Sequence, residues 1–424
     1  MNRPIICYPA GSYARNNILR WEKEGLKPVC FADLDKNKWG SHFSSADRTR
    51  KSSVYEILPL NVAIAKYPDY LLYVTADPVN RKAIYDFLVE QDFPIERIAF
   101  PDNIEWRKGC FYLGKALQLS SNSILFCCGA IEFKTVVPYL AEEPFEEVLA
   151  RYETEKKKLI DAIRKGISTK CDGCPIFEEG FYEINPKTDL IQVVSSRWKG
   201  QHCNMQCCYC IVESELLANY DDVDVVETIH HIERIYGKNE LKYEFSMGEL
   251  TVGTFCNDVL QILLQKNRSC LISSNAGVFS GDINKLLELG LASLLISLDS
   301  GTPETFERIK GRNWFERVTD NIGKYSNNGK QGSHICLKYI FLDGVNDNIK
   351  DVDGFVNIAK KYKTNVSISG NQLKAPSTAN TEQTFEMITR LYHSCVAEGI
   401  GISYTNFTFG YEDNLRLKKL FGEV

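Results

Sequence analysis

The sequence predicts an α/β protein with two parallel-sheet regions: a small Rossmann-like domain at the N-terminus and part of a (β/α) barrel at the C-terminus. Strand-like and helix-like segments alternate through the first hundred residues and again from about residue 189 to the end. Repeats of that kind build parallel sheets covered by helices. The 424 residues are 44% hydrophobic and 25% charged, ordinary values for a globular chain whose length suggests two or three domains.

The elements follow in order. "PIICYPAG" reads as a buried strand, and "SYARNNILRWEKEG" as a helix with Ile18, Leu19 and Trp21 on its apolar side. "KPVCFADLD" and "DYLLYVTAD" are further strands, followed by the helix "VNRKAIYDFLVEQDF" and the strand "RIAFP". This region spans residues 1–105. Asp33 lies 22 residues after Gly11, a spacing that suits the acidic ribose contact of a dinucleotide fold. Yet "PAGSYA" keeps one glycine where that fingerprint needs three, so the domain is read as a scaffold for a partner or substrate fragment and not as an NAD site. Residues 145–166 form a helix within a cysteine-bearing segment, 106–184. Phe145, Val148, Leu149, Tyr152, Leu159, Ile160 and Ile163 keep helical spacing, and Gly166 follows the last basic turn. From 185 to 424 the strands "DLIQVVSS", "LKYEFSMG", "SCLISSNAG", "LASLLISLDSG", "HICLKYIFLDG", "TNVSISGNQL" and "GISYTNFTFG" alternate with helices.

A net charge of −5 argues against nucleic acid or an anionic membrane surface as the partner. The N-terminus lacks the apolar run of a secretory signal, and no stretch reaches the ~18 apolar residues of a membrane span, so a cytoplasmic location is expected. Fifteen cysteines are then unusual, because a reducing compartment and a long chain leave little use for disulfides. Cys7, Cys30, Cys256, Cys270, Cys336 and Cys395 stand singly in apolar or mixed segments and read as core residues. The remainder cluster as Cys110, Cys127, Cys128, Cys171 and Cys174, and as Cys203, Cys207, Cys208 and Cys210.

In "QHCNMQCCYC", Cys203, Cys207 and Cys210 have C-x3-C-x2-C spacing and Cys208 falls outside it. Zinc, with His202 as a fourth ligand, is one reading. A 4Fe–4S cube with one open iron is the other. C-x3-C-x2-C with Tyr209 before the last cysteine resembles the signature of the radical S-adenosylmethionine (radical SAM) superfamily. "FSMGELTV" looks like that family's glycine–glycine–glutamate strand end, with Met247, Gly248 and Glu249 in its place; Met247 departs from the pattern where backbone groups make the contact. "ISSNAG", "LLISLDSGTPETFERIKGRNWFERVTDNI" and "LKYIFLDGVNDN" resemble the third, fourth and fifth strand segments, the whole covering roughly residues 185–410. The resemblance implies a partial (β/α)6 barrel in which Cys203, Cys207 and Cys210 hold the cluster. S-adenosylmethionine would be cleaved there to a 5′-deoxyadenosyl radical that abstracts hydrogen from a substrate C–H bond. Ser274, Asn275, Ser297 and Asp299 sit at expected C-terminal strand ends, where their polar groups suit a ribose and an amino-acid head group. Arg312 and Lys338 are candidate carboxylate partners. For each polar residue a strand cap is an equal alternative.

Cys110, Cys127, Cys128, Cys171 and Cys174 resemble the auxiliary-cluster (SPASM and twitch) modules of radical SAM enzymes, displaced to the N-terminal side of the barrel. They imply one second 4Fe–4S cluster, with a four-thiolate zinc as the alternative. Three functions follow as expectations: an enzyme acting on a small molecule, such as a carbohydrate or nucleotide sugar; a peptide-modifying maturase; or a non-enzymatic electron carrier or zinc adaptor. An electron donor such as flavodoxin or ferredoxin is the implied protein partner of the enzymatic readings.

Overall fold

The computed structural model describes residues 3–44, 53–76, 80–101, 104–120, 123–125, 136–138, 143–174, 177–184, 186–193, 202–210, 224–246, 248–327, 334–371, 373, 379–405 and 408–422. They fall into two compact units. The first contains 1–114, 163–167 and 177–187; the second contains 115–162, 168–176 and 188–424.

In the first unit β1 (Ile5–Tyr8), β2 (Pro28–Asp33), β3 (His42–Phe43), β4 (Tyr55–Pro59), β5 (Leu71–Val74) and β6 (Ile98–Ala99) form one sheet of order β3-β4-β2-β1-β5-β6. All pairs are parallel except β3 with β4. Strands β3 and β4 escaped the sequence reading because a two-residue and a five-residue strand carry too little alternation to register. Two apolar clusters lie in this unit, as a sheet with helices on both faces requires. Trp21, Ile18 and Ala14 of helix Ser12–Lys23 pack with Phe31 and Phe43, while Leu72, Val74 and Leu88 belong to the other cluster. A separate antiparallel pair, β7 (Ile104–Gly109) and β11 (Glu178–Glu183), contributes Trp106 and Phe181, which meet Tyr85 ring to ring.

Asp33 is buried at the end of β2, and its carboxylate accepts hydrogen bonds from the Ala10 and Asp35 backbone N–H groups at 3.0 and 2.9 Å and from Lys38 at 2.8 Å. The group that spacing matches to a ribose contact instead pins the β1 loop. Calorimetry on the full chain should therefore give an NAD affinity no tighter than roughly millimolar, about −4 kcal/mol; micromolar binding would overturn the scaffold reading.

The second unit is built on a ten-stranded sheet. Its strands are β8 (Ala116–Ser120), β9 (Ser123–Leu125), β10 (Val136–Pro138), β12 (Leu190–Val193), β13 (Lys242–Phe245), β14 (Ser269–Ser274), β15 (Ala292–Ser297), β16 (His334–Ile340), β17 (Asn365–Ser369) and β18 (Ile402–Tyr404). Their order is β10-β9-β8-β12-β13-β14-β15-β16-β17-β18. From β12 to β18 every neighbour is parallel and in chain order. β8 joins the edge parallel to β12 and turns back through β9 and β10. The whole is thus mixed α/β, with an N-terminal sheet region and a larger C-terminal α/β region. The expected helix runs Phe145–Arg164, ending before Gly166 at φ +65°, and the Tyr152 hydroxyl donates to the Ala116 carbonyl at 2.6 Å.

Helix starts in this unit are set by local chemistry. Ser280, Thr302, Asn348 and Thr381 each accept a backbone N–H from the first turn that follows, which satisfies a donor the helix cannot. Helix Pro303–Lys310 also has proline at its start and the left-handed Gly311 at its end. Among the described residues no helix is long and apolar enough to cross a membrane.

Candidate functional site

The cysteine loop is held by the backbone of helix Pro303–Lys310. Gln206 N–H donates to the Lys310 carbonyl and Cys208 N–H to the Ile309 carbonyl, each at 2.9 Å, while Cys210 N–H closes a turn onto the Cys207 carbonyl. Gly311, at φ +65°, lies against Gln206; a Cβ there would stand 3.0 Å from the Gln206 Cβ. Glycine is therefore needed twice over, for its dihedral and for the close approach.

Below the loop, Lys310 and Asp299 are both fully buried and pair at 2.5 Å. The Tyr209 hydroxyl donates to the same Asp299 oxygen at 2.6 Å and accepts from the Lys310 ammonium at 2.6 Å. The other Asp299 oxygen accepts the Ile340 N–H at 2.8 Å. Burial by itself would lower the Lys310 pKa, but Asp299 above all, with smaller contributions from Cys207 and Cys203, outweighs this and raises it. Asp299 sits at φ +60°. The Asn346 amide stabilises this turn by donating to the carbonyls of Asp299 and Ile340.

A second frame lies at the ends of β13 and β14. Glu249 is wholly buried and accepts from Ser274 Oγ at 2.9 Å, Asn275 N–H at 2.6 Å and both the N–H and hydroxyl of Thr251. Burial raises its pKa, and these donors oppose the shift. Gly248 precedes it at φ +66°, and Glu249 N–H reaches the His202 carbonyl beside the cysteine loop at 3.1 Å. Asn275 joins frame to loop: its amide donates to Asn204 Oδ1 at 2.6 Å and lies 3.9 Å from Cys203 Sγ. The Asn204 Nδ2 atom is buried with no acceptor among the described residues. Gly277 borders the same place, since a Cβ there would meet Asn275 Oδ1 at 2.9 Å and Asn204 Nδ2 at 3.2 Å.

The structure thus gathers Gly248, Glu249, Ser274, Asn275 and Asp299 around the loop, with the polar atoms of Glu249, Ser274 and Asp299 engaged by protein groups. Arg312 donates to the Asn204 carbonyl at 3.2 Å and is exposed. Ser297 and Lys338 are register partners on β15 and β16, and neither side chain has a hydrogen-bond partner among the described residues. Burial lowers the Lys338 pKa, partly offset by Asp299. Met247, Cys127 and Cys128 lie outside the described residues. Cys171 and Cys174 share a turn closed by Cys174 N–H on the Cys171 carbonyl at 3.0 Å, and Cys110 Sγ accepts the Leu113 N–H at 3.4 Å. Among the described residues no three His, Cys, Asp or Glu side chains converge as a ready metal cage. Sequence reasoning passed over Lys310, Asn204 and Asn346; the only local signal was Lys310 standing immediately before Gly311.

Residues 199–356 match the family model of the Radical SAM superfamily. The chain is 30% identical over 167 residues to the uncharacterised protein MJ0804 of Methanocaldococcus jannaschii, covering 38% of this chain and 50% of that protein. It is 25% identical over 166 residues to GTP 3′,8-cyclase of Chlorobaculum tepidum, covering 39% and 49% respectively. The chain therefore spans about half the length of the curated relatives it matches. Among solved structures, Streptococcus suis SuiB bound to the precursor peptide SuiA aligns over 72% of each chain with a TM-score of 0.40 and 10% identity, too distant to carry an argument about function.

Proposed function

We propose, from the premise that this chain carries a radical SAM enzyme domain, that it cleaves S-adenosylmethionine reductively and abstracts hydrogen from a substrate C–H bond. The observation that supports this most is the cysteine loop with its donors. Cys203, Cys207 and Cys210 share one short loop, and the buried Asn204 Nδ2 beside them lacks an acceptor among the described residues. Such a donor suits an anionic group, and three thiolates suit a cube with an open iron. The residues present fit the 4Fe–4S cluster and S-adenosylmethionine, which when bound would supply the electron transfer and the radical.

The chain's own part is positional. The Lys310–Asp299–Tyr209 group fixes the loop from beneath, and Glu249, Ser274 and Asn275 fix the adjoining strand ends. Ser297, Arg312 and Lys338 keep polar atoms available for the carboxylate and hydroxyl groups of the cofactor, while Met247 and Gly248 supply backbone contacts. We read β12 to β17 as the six strands of a partial barrel. Cys171 and Cys174, with Cys110 and either Cys127 or Cys128, are proposed to hold a second 4Fe–4S cluster, zinc being the alternative. Flavodoxin or ferredoxin is the proposed electron source.

Two substrate classes stand. One is a small molecule and the other a peptide: the cyclase named above is named for GTP and SuiB was solved with a precursor peptide, and neither likeness ranks the two. The reaction class itself is tested by anaerobic reconstitution. About eight irons per chain, twice the single-cube number, and reductant-dependent 5′-deoxyadenosine are expected. Four irons with one tightly held zinc would remove the second cluster, and absence of 5′-deoxyadenosine would remove the function.

A further inference from the structure

One polar row in the second unit takes no part in the site above. Gln118 on β8, Gln192 on β12 and Glu244 on β13 are direct register partners on neighbouring parallel strands, so their side chains share one face of the sheet. Gln118 is 3% exposed and Gln192 6%. Gln192 donates to Glu244 at 2.6 Å, yet the amide oxygens of both glutamines are buried with no donor among the described residues. Buried carbonyl oxygens in this state are uncommon and cost stability, so each needs a reason.

The row faces away from helices. Tyr243 and Tyr339, on the opposite face, reach helix Val225–Tyr236 through Glu233 and helix Ile349–Tyr362 through Phe355. The register continues from Glu244 through Leu271 and Ser293 to His334. Lys338 and Ser297 stand four residues further along β16 and β15 on the same face, about 13 Å up those strands from His334 and Ser293 at the usual strand rise. Between the two layers lie the partly buried Leu295 and Cys336. The face therefore offers acceptors at one level and the Lys338 amine at the other.

We propose that Gln118, Gln192 and Glu244 form the floor of a substrate subsite for a ligand group that donates hydrogen bonds and carries no negative charge, namely polyol hydroxyls or an ammonium. With Gln192 Nε2 spent on Glu244, the unpartnered atoms are the two amide oxygens, so a donor would satisfy them while an anion would face the Glu244 carboxylate. This rests on the radical SAM reading for calling the ligand a substrate.

The test is saturation-transfer NMR on the full anaerobically loaded chain with glucosamine, glucose, n-butylammonium and acetate at equal millimolar concentration. At least one donor probe should bind, acetate should not, and Gln118→Met and Gln192→Met should each weaken binding at least tenfold, about 1.4 kcal/mol. Loss of n-butylammonium in Glu244→Gln identifies the ammonium source; glucose retained in that variant but lost in Gln192→Met identifies hydroxyls. Thermal melts check each fold, and Glu244→Gln, which conserves size, serves should the methionine variants not fold. Binding of no donor probe, equal binding of acetate, or wild-type binding in the variants overturns the subsite. The NMR signal does not need turnover, so missing 5′-deoxyadenosine would sink the enzymatic reading separately.

Discussion

Replacing Cys203, Cys207 or Cys210 with alanine is expected to reduce S-adenosylmethionine cleavage to background and to remove one cube's irons, about four per chain, while Cys208→Ala retains both. The reason is the spacing of the three cysteines on one loop. Burial raises the Cys203 thiol pKa, and Cys210 adds to the shift; burial likewise pushes Cys207 to about 11, with Cys203 contributing. Cys208 is raised first by burial, and its charged neighbours are Lys310, Asp299 and Arg308, none of them a thiol. Cys203 is thus coupled electrostatically to Cys207 and to Cys210, while the assignment of these three as ligands rests on their C-x3-C-x2-C spacing. Iron and sulfide counts and 5′-deoxyadenosine chromatography on the four variants decide the matter. A Cys208→Ala protein without its cluster would reverse the ligand assignment.

Lys310→Met is expected to destabilise the second unit by about 3–5 kcal/mol, because it leaves the Asp299 carboxylate buried without its cation. The two side chains are 1% and 0% exposed, so water cannot substitute. The loss should reach the cysteine loop, whose Gln206 and Cys208 N–H groups bond the carbonyls of Lys310 and Ile309. Tyr209→Phe removes only one hydroxyl and should cost about 1 kcal/mol. The double variant Lys310→Met/Asp299→Asn should recover part of the loss, since the uncompensated charge is gone. Anaerobic urea titrations of the three variants measure this. A Lys310→Met midpoint unchanged within about 0.5 kcal/mol, the size of a neutral surface change, would mean that the pair does not anchor the loop.

Much of the site was legible because it is local. C-x3-C-x2-C is a spacing on one loop, and it marks three thiols whatever the rest of the chain does. Short β-rich apolar runs such as Ala292–Ser297 and His334–Ile340, and a helix with seven apolar residues in phase, carry their pattern with them. Asp33 shows where spacing stops being informative: the interval to Gly11 was right for a ribose contact, but the carboxylate went to Ala10, Asp35 and Lys38. Only the folded chain reveals such competition between ligands and backbone donors.

Composition, charge and local pattern thus determined the α/β class, the parallel sheets and the thiol loop. Tertiary structure decided which carboxylates are spent on the frame, that Tyr209 meets Asp299 across 90 residues, and that β8 joins β12 to bring Gln118 beside Gln192. The physical reason is that strand register and crossover order set which distant residues become neighbours. A shift of one residue would turn every side chain of a strand to the other face, and no short stretch of sequence contains that choice.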